Sequence, residues 1–141
     1  IGLLATALAR RGVTPVHLLV GGLSLSLLTL SAIVGGFSTQ TYVLWIAYGT
    51  FSSFGTLSYS QAAACFPLAL AGRANTAFNL MVFIGAFGLQ WGLGVFIDVL
   101  SAGGHSPAAA QRGAFLLLLV LQVAALAWFL LAGRRCSGSA E

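Results

Sequence analysis

The stretch GAFLLLLVLQVAALAWFLLAG, residues 113–133, decides the fold. It carries no charge, and a helix needs about 20 mainly apolar residues to cross a hydrocarbon layer about 30 Å thick. A strand of a membrane barrel would alternate apolar and polar residues. The run FLLLLVL at 115–121 does not alternate. The stretch predicts a membrane-crossing helix.

Three more stretches pass the same test, at 16–36, 42–66 and 76–100. The one charge inside any of them is Asp98, two residues from the end of the third. The whole chain repeats this economy: six Arg, no Lys, Asp98 and Glu141 make 6% charged residues, against 59% hydrophobic. Soluble domains carry roughly 25% charge. Mean hydropathy is +1.00. A free-standing soluble enzyme is excluded, since it could not cover its surface. The net charge of +4 does not suggest nucleic acid, because the arginines stand singly or in pairs between apolar runs rather than on one basic face. The expected class is an all-α integral membrane protein with four transmembrane helices, whose first partner is the lipid bilayer.

The breaks carry turn chemistry. Thr14-Pro15 offers an N-cap and a first-turn proline ahead of the first stretch. Residues 35–40 read as a short hairpin, 67–75 as a loop, and 101–112 as the longest loop. Arginine placement then orients the chain. Arg10, Arg11, Arg73, Arg134 and Arg135 fall on one side, and Arg112 alone on the other. The expectation is a multi-pass protein of the cell inner (plasma) membrane with a cytoplasmic C-terminus. Residues 1–9 are apolar and precede Arg10-Arg11, the reverse of a signal peptide, and read as the tail of a preceding helix. On this reading the chain is one incomplete transmembrane domain of something larger. Cys65 and Cys136 lie far apart with no metal spacing, so neither a metal nor a cofactor is expected.

With the spans placed, the chain resembles the last third of a major facilitator superfamily permease. The segment from Gly2 through Leu3, Leu4, Ala5, Thr6 and Ala7 to Arg10 and Arg11 is similar to that superfamily's cytoplasmic loop signature, G-x-L-A-D-R-x-G-R-R. Gly2, Ala5, Arg10 and Arg11 match; Thr6 stands where the family has Asp and Ala7 where it often has Arg. Residues 66–76, which include Arg73, resemble the loop between helices ten and eleven. Asn79, Gly85, Gln90 and Gly92 lie in a stretch that resembles helix eleven. The resemblance implies helices nine to twelve, part of a C-terminal six-helix bundle, completed by the remaining N-terminal helices of the same transporter.

The polar residues inside the spans are the candidate sites. On a helical wheel Asn79 and Gln90 share one side of the third span, and Gly85, Gly88 and Gly92 cluster on the other, with a GxxxG from Gly88 to Gly92. The glycines read as helix-packing residues. Gln90, within ~5 Å of mid-bilayer by helical rise, reads either as a pore-lining ligand or as an interhelical hydrogen bond; Asn79 leans to the second. In the second span Tyr48, Ser52, Gly55 and Tyr59 share a face within about 40° on a helical wheel. They are either a cavity line for a polar organic solute or, for Tyr48, an interfacial aromatic and, for Ser52, a hydroxyl bonded to its own helix. Gln122 reads as helix glue. Ser24, Ser26, Thr29 and Ser31 read as self-satisfied, and Asp98 as solvated or paired with Arg112. No nucleophile and base, nor metal set, share a depth, so enzymatic chemistry is not expected. The expected function is secondary active transport of a small solute by alternating access. The competing reading is a non-transporting membrane partner or assembly subunit.

Overall fold

The computed structural model describes residues 14–36 and 41–132, and every element among them is helical. Helix α1 is Pro15–Gly35. Next come α2, Thr41–Ser52, a four-residue 3-10 turn, Ser53–Thr56, and α3, Leu57–Ala64. Helix α4, Leu68–Ala102, and helix α5, Pro107–Ala132, complete the chain. Helices α1, α4 and α5 are each long and apolar enough to cross a membrane.

Helix α1 is the centre of the packing. Pro15 occupies its first turn, where a missing N–H costs nothing. Gly36 closes it at φ 82°, a left-handed conformation that glycine tolerates, and donates its N–H back to the carbonyls of Ala32 and Ile33. Leu19, Gly22, Ser26, Leu30 and Val34 are buried and recur every three or four residues, so they form one stripe. Against that stripe lie α2, the 3-10 turn, α3 and α5. Ser26, Thr29 and Ser31 donate to the carbonyls of Leu23, Ser26 and Leu27 at 2.8 Å each, as their sequence pattern suggests.

Elsewhere the apolar side chains point outward. Phe87, Trp91, Trp128 and Leu131 are 72%, 75%, 75% and 78% exposed. A soluble chain would aggregate through such a surface; hydrocarbon suits it, since lipid tails are as apolar as leucine. The placement is therefore a bilayer environment.

The helices outrun their apolar stretches. Helix α4 begins directly after Pro67, whose carbonyl accepts from the Leu70 N–H at 2.8 Å, so Arg73 lies on a helix rather than in a loop. Its 35 residues span about 52 Å, more than the hydrocarbon thickness. The expected 101–112 loop shrinks to residues 103–106, because Ser106 caps α5 through the Ala109 N–H and Pro107 takes the first helical position. Apolar patterning marks the bilayer, whereas Ala, Gln and Arg extend a helix past it. The stretch at 42–66 fares the opposite way: one continuous helix was expected, and three short pieces occupy it.

Candidate functional site

The interruption has a local cause and a tertiary one. Locally, residues 49–60 are dense in hydroxyls. Thr50 donates to the Ile46 carbonyl and Ser53 to Gly49, each at 2.8 Å. Thr56, Ser58 and Ser60 donate to the carbonyls of Ser53, Gly55 and Leu57 at 2.9, 2.6 and 2.7 Å. Hydroxyls that bond back along the helix offer its carbonyls a substitute partner, which is how a spanning segment tolerates 3-10 geometry. Tertiary packing then fixes the position. The Phe54 side chain covers Gly22 so closely that a Cβ there would collide with Phe54 Cβ and its ring. Only glycine leaves that notch in α1.

The 3-10 turn also separates the two tyrosines. Three residues per turn advance the chain about 120° per residue instead of 100°. Four such residues swing Tyr59 roughly 80° from the position a continuous helix would give it relative to Tyr48. The two phenols accordingly meet different neighbours. Tyr48 accepts a hydrogen bond from Gln122 Nε2 of α5 at 3.1 Å. Trp45 stands edge-on to Tyr48 at 6.0 Å and to Phe115 at 5.4 Å between ring centroids. Tyr59 donates to Asn79 Oδ1 of α4 at 2.9 Å, with its ring edge-on to Phe78 at 4.9 Å. Ser52 is half-buried between them.

These two polar pairs are the only hydrogen bonds between side chains of different helices among the described residues. An interhelical bond in a membrane is worth about 0.6 kcal/mol on average. The Gln122 pair carries a cost as well: its Oε1 is buried with no donor, and an orphaned buried acceptor costs roughly 1–3 kcal/mol. Gln122 does act between helices, as its sequence position suggests, but with half its carboxamide unsatisfied.

Gln90 lies exposed on α4, away from both pairs. A Cβ at Gly85, Gly88 or Gly92 would meet nothing within 4 Å, so these glycines pack against no described helix. Gly88 and Gly92 instead line an apolar groove of about 540 Å³ between α4 and α5, together with Phe96, Leu117 and Leu121. Near the C-terminal end of α4 the two helices close up, and a Cβ on Gly113 would lie 3.0 Å from Leu100 Cδ1.

At that end Asp98 is exposed. Arg112 gives its Nε–H to the Val34 carbonyl at 2.7 Å, and so caps the last turn of α1 from α5. That carbonyl has no intrahelical donor among the described residues, and a cation suits the negative end of a helix. Among the described residues no group of three or more His, Cys, Asp or Glu could hold a metal. Gly2, Arg10 and Arg11, and with them the loop signature, lie outside the described residues, as do residues 37–40 of the expected 35–40 hairpin and Arg134 and Arg135.

Sequence reasoning did not anticipate the Phe54–Gly22 notch, the Tyr48–Gln122 pair or the Arg112 cap. For the cap, the signal was available in Gly35-Gly36, which ends α1 and leaves carbonyls open to a cation. No family model matches the chain, and neither a characterised protein nor a solved structure matches it significantly.

Proposed function

We propose that this chain is part of a secondary active transporter that moves a small solute by alternating access. It would supply four spans of a major facilitator-type C-terminal bundle, in the inner (plasma) membrane with a cytoplasmic C-terminus. The carrying observation is the interrupted segment 41–64. Transporters bind substrate at discontinuous helices near mid-bilayer, because unwound backbone is tolerated there only beside protein or water. Polar pairs flank this interruption on both sides. Tyr48, Ser52, Tyr59 and Asn79 are the proposed substrate contacts around it. Gln90, on the outward side of α4, would face the remaining helices of the transporter. None of these groups is charged, so they would read hydrogen bonding and shape.

The test is solute flux into proteoliposomes carrying the full-length transporter, with Tyr48→Phe and Tyr59→Phe beside the parent. Saturable flux with altered apparent affinity in the variants is expected. Unchanged flux in both would remove the site assignment, and no protein-dependent flux would remove transport. A second reading, a non-transporting assembly subunit, draws on one observation: Gly85, Gly88 and Gly92 present a small-residue face with no helix against it. Gly88→Leu would then abolish co-purification of a partner while leaving flux at background.

A further inference from the structure

The structure points to Gln122 as a ligand-binding residue rather than helix glue, and we propose that the Tyr48–Gln122 pair binds a hydroxyl group of an uncharged solute. This rests on the transport reading. Gln122 Nε2 donates to the Tyr48 oxygen. The Tyr48 O–H proton is then left with no acceptor among the described residues, and Gln122 Oε1 is buried with no donor. The pair thus presents one open donor and one open acceptor side by side. A hydroxyl answers both, because it donates and accepts at one oxygen. A carboxylate could accept from Tyr48 but would face Gln122 Oε1 with a lone pair, and an ammonium would leave the Tyr48 proton unmet.

The surroundings agree. Trp45 stands edge-on to Tyr48 and Phe115 edge-on to Trp45, and among the described residues no ionisable side chain pairs with either member. The Oε1 atom is closed off in this conformation, so the ligand reaches it only when α2 and α5 part, as alternating access would have them do. Empty and closed, the pair keeps an unsatisfied acceptor in a low-dielectric site. That is a strange design for a purely structural contact and a suitable one for a binding group.

The experiment uses the chain in liposomes with Trp91→Phe and Trp128→Phe, so that Trp45 is the remaining indole. Glycerol, myo-inositol and glucose are titrated against Trp45 emission, and thermal unfolding is followed in parallel. The expected result is a saturable emission change with at least one polyol, weakened at least tenfold by Gln122→Met and by Tyr48→Phe. The unliganded Gln122→Met variant should melt no lower than the parent, since it removes an orphaned oxygen at constant size. Two results would overturn the proposal: a lowered melting point for Gln122→Met with polyol response intact, which is the behaviour of helix glue, or no response of the parent to any of the three. Swelling, in polyol, of liposomes that carry the full-length transporter separates the two readings. Flux that ignores Gln122 sinks this proposal and leaves transport, whereas binding without flux does the reverse.

Discussion

Two consecutive segments, each expected from the sequence to form one membrane-crossing helix, behave in opposite ways. Residues 41–64 break into helix, 3-10 turn and helix, while α4 runs uninterrupted for 35 residues. Glycine content does not separate them, because α4 holds Gly72, Gly85, Gly88, Gly92 and Gly94 and stays helical. In a bilayer a backbone bond lost at glycine finds no water to replace it, so glycine alone does not break a helix. The broken segment differs in having hydroxyls that rebond its carbonyls and a neighbour, Gly22, that receives Phe54. It is pinned to α5 through Tyr48 and to α4 through Tyr59. Helix α4 turns most of its surface outward, and no residue in it is buried. Interruption is thus made by side chains and by tertiary contact.

The largest expected effect comes from filling the notch. Gly22→Ala should destabilise the bundle by about 1–3 kcal/mol through overpacking, and Phe54→Ala in the same chain should recover most of the loss. Reversible unfolding in mixed micelles measures both, and a neutral Gly22→Ala would show that the 3-10 turn does not depend on this contact. The matched glycine in α4 should respond with the opposite sign. Gly88→Ala meets open space and should stabilise by about 0.5–1 kcal/mol through helix propensity. A destabilised Gly88→Ala would mean that another helix occupies the groove.

Between these lies Arg112→Ala, which uncaps α1 and should cost about 1 kcal/mol by loss of a charge-assisted bond. Arg112→Lys should restore part of that stability in the same assay. The smallest effect is that of Tyr59→Phe, about 0.6 kcal/mol for one interhelical bond. A double-mutant cycle with Asn79→Leu should show coupling between these two positions and none between Tyr59 and Gln122.

The sequence made some of this legible and hid the rest for identifiable reasons. Helix α1 and the apolar part of α5 follow from uncharged runs bounded by Pro15 and Gly36, and by Leu and Val repeats. Apolarity could not show that α4 starts at Leu68 or that α5 starts at Pro107, because those first turns contain helix-forming Ala, Gln and Arg outside the apolar windows. The shared tyrosine face assumed 100° per residue throughout, and four residues of 3-10 geometry removed it. Asn79 and Gln122 stood out as carboxamides in apolar helices, which need partners, but wheel geometry within one helix cannot name a partner on another.

Backbone amide exchange of the chain in lipid bilayers compares the two segments most directly. If 41–64 is the element built to rearrange, the amides of Ser53–Thr56 should exchange at least tenfold faster than those of residues 85–92. Equal protection of both segments would contradict the account, because it would make the interruption as rigid as the continuous helix beside it.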